Sequence, residues 1–177
     1  MPADVSLRLV EITDAAELAD LVTRSRDHLA PWEPLREESF YTTAGQRQMI
    51  AQALHDYETG HCYPTVALDA RGTILGRFTL NSIVRGAAQT AHLGYWVGLP
   101  HTGRGVATEA GRQLCATAFD ELGLHSVQAG TVPDNEVSQR VLTRLDFERV
   151  GCAPRHIRIA GRWQDHVLWQ LLEPGSR

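Results

Sequence analysis

Apolar residues recur along the chain with two different spacings, and these predict alternating strands and helices. Alternating or β-branched runs predict strands at residues 5–12, 63–68, 73–80, 88–97, 126–132, 149–159 and 163–172. Spacings of three and four predict helices at residues 14–26, 43–60, 106–123 and 135–145. The pattern therefore predicts an α/β (α+β) protein with about seven strands and about four helices.

The first two helices begin at residues that resemble capping boxes. Asp14 precedes Glu17 by three positions, and Thr43 precedes Gln46 by the same spacing. The segment between these helices, residues 27–41, contains two prolines and several charges, which favours an ordered loop with short helical turns. We expect that segment to form a lid or a wall of a substrate site.

The connections between strands predict the direction of the sheet. Residues 69–72, Asp-Ala-Arg-Gly, and the pair Ala160-Gly161 are typical of hairpin turns. The strand at 88–97 is instead followed by a helix, which favours a parallel crossover to the next strand. The sheet is therefore predicted to be mixed and mostly antiparallel.

Composition narrows the class of protein. The 177 residues, 43% of them hydrophobic, predict a single domain over 1–177. A net charge of −4 disfavours nucleic acid and membrane partners. Three widely spaced cysteines and the lack of a long apolar run predict a cytoplasmic protein, and the spacing of the eight histidines predicts no metal site.

A glycine-rich loop carries the first chemical signal. Gly103 and Gly105 lie where a strand gives way to a helix, so main-chain amides there are free to bind a diphosphate. An ordinary turn explains the same glycines, and the loop alone leaves both interpretations open. The spacing fits neither a P-loop nor a dinucleotide fingerprint, which disfavours ATPases and dinucleotide oxidoreductases.

Six motifs in a fixed order carry a family resemblance. They read LGYWV at 93–97, GRGVATEA at 103–110, LGLH at 122–125, PxNxxS at 133–138, VLxxLxF at 141–147 and GxWxDH at 161–166. Together they resemble the GNAT N-acetyltransferase superfamily, in particular its RimJ/RimL-like branch. The resemblance implies the acyl-CoA N-acyltransferase fold, with acetyl-CoA bound where the sheet splays between strands 4 and 5.

The resemblance also implies how the cofactor is held. The main chain at Val97 and Gly98 would pair with the pantetheine arm, Asn135 would contact that arm, and Arg140 would reach the adenosine phosphate end. The amides that would hold the pyrophosphate belong to Gly103, Arg104, Gly105, Val106, Ala107 and Thr108. Thr102 and Val106 depart from the residues common in the branch, and main-chain contacts tolerate both changes.

Three side chains are candidates for moving protons. His92 occupies a position that is commonly Glu in relatives, and its neutral imidazole is the predicted base; a structural strand histidine is the alternative. Ser138 resembles the residue that donates to the leaving thiolate, with an ordinary helix serine as the alternative. Tyr95 is the third candidate, and water is the alternative base.

The acceptor pocket is expected to hold aromatic rings and one carboxylate. Its predicted residues are Trp32, Glu33, Phe78, His156 and Trp163. Such a pocket suits a cationic amine, either a protein N-terminus or a small molecule. The predicted function is N-acetyl transfer from acetyl-CoA by direct attack, with a non-catalytic acyl-CoA-binding module or sensor as the alternative and a homodimer left open.

Overall fold

A computed structural model describes residues 4–175 and shows a sheet with helices on both faces. The strands are β1 Ser6–Leu9, β2 Tyr63–Leu68, β3 Ile74–Val84, β4 Thr90–Val97, β5 Ser126–Thr131, β6 Glu148–Ile159 and β7 Arg162–Leu172. The helices are α1 Ala15–Arg24, α2 Arg26–Leu29, α3 Thr43–Glu58, α4 Val106–Ala116 and α5 Glu136–Arg144. The α/β prediction is confirmed.

The strands form one sheet in the order β1-β2-β3-β4-β5-β7-β6. Every neighbouring pair is antiparallel except β4 and β5, which run parallel. The helix α4 makes the crossover between these two strands, as the strand-helix alternation predicts. The predicted mixed, mostly antiparallel sheet is therefore confirmed.

The two parallel strands pair only where they begin. The paired residues are Thr90 with Ser126, Ala91 with Val127, and His92 with Gln128. Beyond His92, β4 continues to Val97 while remaining paired with β3, and β5 continues to Thr131 while remaining paired with β7. The sheet is thus splayed between its fourth and fifth strands, as the family resemblance implies.

The two faces of the sheet bury separate cores. On one face, α1 and α3 pack against the sheet through residues such as Leu18 and Ile50, and Trp96 packs against this cluster. On the other, α4 and α5 pack through Leu114 and Leu142. We call these the α1/α3 face and the α4/α5 face; strand residues alternate between them.

The predicted capping box at the first helix is wrong. The carboxylate of Asp14 accepts hydrogen bonds from the guanidinium of Arg8, at 2.7 and 2.8 Å, and from the amide of Glu11 at 2.8 Å. Glu17 instead accepts from the amide of Ile74 at 2.6 Å. Asp14 therefore closes a capping box with Glu11 at the turn before α1, and only Glu17 binds a distant partner that local spacing does not reveal.

The second capping prediction is wrong in its first residue. Thr42 is the N-cap of α3, and its hydroxyl accepts from the amide of Gly45 at 3.0 Å. Thr43 is already helical. Gln46 is buried and donates to the carbonyl of Phe40 at 2.7 Å, so it fixes the preceding turn rather than closing a box.

Two further element boundaries differ from the sequence pattern. β1 ends at Leu9, because a short helical turn at Ile12–Asp14 takes the end of the predicted strand. β3 runs on to Val84 through a bulge against β4. Within residues 4–175, no helix is both long and apolar enough to cross a membrane.

Candidate active site

A cleft of about 700 Å³ opens where β4 and β5 separate. Residues 93–97 of β4 form one wall, and residues 129–132 at the end of β5 form the opposite wall. The beginning of α4, one side of α5 and the segment around α2 complete the lining. The cleft therefore lies where open α/β sheets commonly bind ligands.

The glycine loop presents free amides at one end of this cleft. Gly103 and Gly105 have φ angles of 73° and 80°, a left-handed conformation that favours glycine. Gly105 is the N-cap of α4 and has no side chain to cap the helix; its carbonyl accepts from Glu109 at 3.0 Å. The amides of the residues between Gly105 and Glu109 lie in the first turn and have no intrahelical acceptor. They therefore suit an anion at the positive end of the helix.

The orientation of the β4 backbone is set by its contact with β3. The amide of Gly98 donates to the carbonyl of Leu75 at 2.9 Å, and the carbonyl of Gly98 accepts from the amide of His101 at 2.8 Å. Because an antiparallel ladder alternates, the main-chain groups of Val97 and Tyr95 then face the split. Those two residues, rather than Gly98, offer peptide groups to a ligand lying along β4.

Tyr95 and Ser138 form a hydrogen-bonded pair inside the cleft. The Tyr95 Oη and Ser138 Oγ atoms lie 2.9 Å apart, and both residues line the cleft. Phe78, which is fully buried, stacks on the Tyr95 ring with centroids 5.4 Å apart. Burial raises the pKa of Tyr95 to about 12, although the bond to Ser138 opposes this shift. Tyr95 therefore keeps its proton at neutral pH.

Asn135 positions Ser138 through the start of α5. Its Oδ1 atom accepts a hydrogen bond from the amide of Ser138 at 3.1 Å, which makes it the N-cap of the helix. Arg140 follows on the same helix and lines the cleft. Its Nη1 atom lies 3.3 Å from Glu136 Oε2. One short helix thus carries three of the predicted site residues.

Trp32 and Glu33 line the cleft from the segment after α2. Burial raises the pKa of the Glu33 carboxyl, whereas Arg36, with its Nε atom 3.5 Å from Glu33 Oε2, opposes the shift. The predicted short turns lie on either side of Trp32 and Glu33, as α2 before them and a turn at Glu38–Tyr41 after them. The segment forms a wall of the cleft, as predicted.

Hydrogen bonds connect this wall to two other elements. The carbonyl of Glu33 accepts from the amide of Ala160 in the β6–β7 turn, at 2.8 Å. The hydroxyl of Ser25 accepts from the amide of Leu99 beyond the end of β4, at 2.9 Å. The wall is therefore held against both halves of the splayed sheet.

The structure places six of the predicted site residues outside the cleft lining: His92, Gly98, Arg104, Phe78, His156 and Trp163. His92 and His156 are exposed. Desolvation and the nearby His156 lower the pKa of His92. Trp163 is 63% exposed near the tip of the β6–β7 hairpin. Phe78 is instead fully buried, with its ring stacked on that of Tyr95.

His166 lines the cleft and was missed as a site residue. It is only 3% exposed, and its ring lies 5.7 Å from that of His156. The signal available in the sequence was the GxWxDH motif, which carried the resemblance without assigning a role to its histidine. Other lining residues without a predicted role include His28, His101, Thr102, Gly130 and Val137.

The comparisons with known proteins agree with this geometry. The family model described as Acetyltransferase (GNAT) domain matches residues 4–148. The probable N-acetyltransferase YjcK of Bacillus subtilis (strain 168) is 37% identical, over 96% of this chain and 94% of that protein. The [ribosomal protein uS5]-alanine N-acetyltransferase of Escherichia coli (strain K12) is 32% identical, over 95% of this chain and 87% of its own length.

A solved structure matches the fold throughout. Mycobacterium smegmatis RimJ in complex with CoA-disulfide has a TM-score of 0.91 and 29% sequence identity, over 95% of this chain and 81% of that one. These relatives favour an enzyme over a non-catalytic acyl-CoA-binding module. The chain belongs to the GNAT acetyltransferase family and is an N-acetyltransferase.

Proposed function

We propose that this enzyme transfers the acetyl group of acetyl-CoA to the α-amino group of a protein that begins with alanine. The observation that carries the proposal is that one cleft contains both a side suited to acetyl-CoA and a side suited to an amine. Free amides at Gly105 and the Tyr95–Ser138 pair lie on its α4/α5 side, and the half-buried carboxylate of Glu33 lies in its opposite wall.

Acetyl-CoA fits the donor side by charge and by backbone direction. The first turn of α4 offers amides to a pyrophosphate, and Arg140 lines the cleft near that helix. The peptide groups of Val97 and Tyr95 face the split, where they match the amides of a pantetheine arm. The complex of the similar M. smegmatis RimJ with CoA-disulfide supports the same assignment.

Bound acetyl-CoA supplies a thioester whose carbonyl carbon accepts the amine. Tyr95 would protonate the departing sulfur; its place in the cleft lining and the proton that it keeps at neutral pH support this role. Ser138 orients that hydroxyl through the 2.9 Å bond and connects it to α5. The transfer is direct, within one ternary complex.

The acceptor side suits a cationic amine entering beside the wall after α2. Glu33 supplies a carboxylate in a partly desolvated position, and Trp32 supplies an aromatic face next to it. The similar E. coli enzyme acts on the alanine of ribosomal protein uS5, which supports an N-terminal alanine as the acceptor here. A small-molecule amine is the competing acceptor.

The test is an acetylation assay with matched peptides. Purified protein and acetyl-CoA are mixed with an eight-residue peptide beginning with alanine, its N-blocked form and a panel of small amines. We expect thiol release and N-terminal acetylation, read by mass spectrometry, only with the free peptide. Acetylation of a small amine with no turnover of the peptide contradicts the proposed acceptor.

Tyr95→Phe tests the acid within the same assay. We expect kcat to fall about 100-fold, because a positioned proton donor contributes at least that much. The dissociation constant of acetyl-CoA, measured by calorimetry, should change little, because stacking on Phe78 is retained. An unchanged kcat removes Tyr95 from the mechanism while leaving the acetyltransferase activity itself intact.

A further inference from the structure

We infer that His166 accepts the proton of the incoming ammonium group, so that the amine attacks in its neutral form. The inference rests on the proposed function, since it names the base of that same reaction. It replaces His92, the base predicted from the sequence, with a histidine that lines the cleft.

The ring of His166 is held in one tautomer. Its Nδ1 atom lies 3.1 Å from the carbonyl oxygen of Gln164. A carbonyl oxygen only accepts hydrogen bonds, so Nδ1 carries the hydrogen and the lone pair of the neutral ring is on Nε2. The protein therefore holds a basic nitrogen in a side chain that is only 3% exposed.

His166 lies on the opposite face of the sheet from Tyr95. Val167 and Trp169 of β7 pack in the core of the α4/α5 face, so alternation places His166 on the α1/α3 face. Tyr95 packs against the α4/α5 core. A base and an acid on opposite sides of the split suit a reaction in which the amine enters from one side and the thiolate leaves from the other.

Glycine keeps the path from His166 into the split open. A Cβ atom added to Gly130 of β5 would lie 3.4 Å from the His166 ring, in van der Waals contact. Gly94 of β4 lines the other wall of the split. Neither glycine adds a side chain to the space that the acceptor amine would occupy.

The ionisable groups around His166 provide a route for the proton. The exposed imidazole of His156 on β6 contacts the buried ring, and His92 on β4 interacts electrostatically with His156. His28 of α2 and Glu33 of the following segment line the same cleft. The contact with His156 places the buried ring against an exposed one.

The proton balance of the transfer is complete with these groups. The ammonium group gives one proton to His166 Nε2, and the neutral nitrogen forms the C–N bond as the C–S bond breaks. The sulfur takes its proton from Tyr95, which is reprotonated from solvent through Ser138. The nitrogen loses its second proton to water as the amide forms, and His166 returns the first to solvent. Two protons are thus released and Tyr95 takes one up, so the net release is one proton per turnover.

The experiment compares two variants of His166 on two peptides. His166→Asn retains a donor toward Gln164 but removes Nε2, and His166→Gln is a second variant of similar polarity. One peptide begins with alanine, and the other begins with 3,3,3-trifluoroalanine, whose less basic amine is already neutral at neutral pH. His55→Asn, exposed on α3, is the control.

We expect His166→Asn to lower kcat about 100-fold with the alanine peptide and less than about threefold with the fluorinated one. With the fluorinated peptide, whose amine stays neutral over this range, any fall in kcat of the wild type toward acidic pH that reports the base should be absent from the variant. The melting temperature and the dissociation constant of acetyl-CoA should stay close to those of the control. A merely structural histidine would slow both peptides equally.

Three results would overturn the inference. The first is an equal loss with both peptides, and the second is normal turnover of both His166 variants with the alanine peptide. The third is a pH profile that changes in His92→Gln but not in the His166 variants. If the wild type acetylates no peptide, the proposed acceptor fails first and the inference fails with it.

Discussion

The α4/α5 side of the split holds its functional groups through backbone geometry, whereas the α1/α3 side holds them through side-chain contacts. On the first side, left-handed glycines expose helix amides, and a helix cap positions Ser138. On the second, Glu33 is paired with Arg36, and the buried His166 lies against the exposed ring of His156. Contacts through backbone geometry suit a donor that stays the same, acetyl-CoA. Contacts through side chains can be altered by substitution when the acceptor differs.

Gly105→Asp is expected to have the largest effect on this comparison. The substitution places a negative charge where a pyrophosphate would lie and strains a residue with φ of 80°. We expect the dissociation constant of acetyl-CoA, measured by calorimetry, to rise by about 30-fold to 100-fold.

Gly123→Asp provides the matched control for that change. Gly123 also has a positive φ, of 60°, and an added Cβ there also meets open space, but it lies beyond the other end of α4. Its variant should bear a similar backbone strain and bind acetyl-CoA normally. Equal weakening by both substitutions would mean that strain, and not contact with the diphosphate, explains the loss.

Glu33→Gln tests the side-chain face and should have a moderate effect. We expect the KM for the alanine peptide to rise up to about fivefold, since a partly exposed ion pair contributes under about 1 kcal/mol. Burial raises the pKa of Glu33, so the wild type should lose acceptor affinity as pH falls, at a higher pH than an ordinary carboxyl would predict.

Steady-state kinetics over a range of pH values checks both effects, with Glu37→Gln, exposed on the same segment, as the control. The dissociation constant of acetyl-CoA should be the same in all three proteins. A higher dissociation constant for the cofactor in Glu33→Gln would show that the two faces are not separable.

The smallest effect is expected at Asn135, which caps α5 and is also predicted to contact the pantetheine arm. Asn135→Ala removes the cap of α5 and should cost about 1 kcal/mol, or a fall of about 2–4 °C in melting temperature. Asn135→Asp retains an oxygen acceptor for Ser138 and should melt like the wild type.

Both Asn135 variants lose the side-chain amide, so both should bind acetyl-CoA a few-fold more weakly if that amide contacts pantetheine. Scanning calorimetry and titration calorimetry measure the two effects separately. Normal cofactor binding by Asn135→Asp would limit this residue to its role as a cap.

The features that could be predicted from the sequence depend on neighbours along the chain. The period of apolar residues predicted the strands and helices, and the strand-to-helix step at Gly105 predicted where amides would be free. The predicted capping box of α1 is wrong because Asp14 closes a box with Glu11 instead and Glu17 binds Ile74 of β3, whose position is set by the folded sheet.

The acceptor side was harder to predict because its contacts join distant segments. The role of His166 depends on its burial beside His156 and Gly130. These three residues come from three different strands, β7, β6 and β5. His92 is predicted from its position in the family pattern, and one sequence does not reveal that its side chain is exposed and outside the cleft lining. Phe78 was predicted as a pocket residue because nothing local indicates that it stacks behind Tyr95.

The separation of β4 from β5 after His92 and Gln128 leaves two strand edges inside the sheet rather than at its margins. A pantetheine arm has amide groups and, bound along β4 as proposed, would complete this interior as a substitute strand. The co-substrate would then also act as a folding ligand, adding about 2.7 kcal/mol when its free concentration is about 100 times its dissociation constant. The concentration of acetyl-CoA would thereby affect the folding stability of the enzyme as well as its rate.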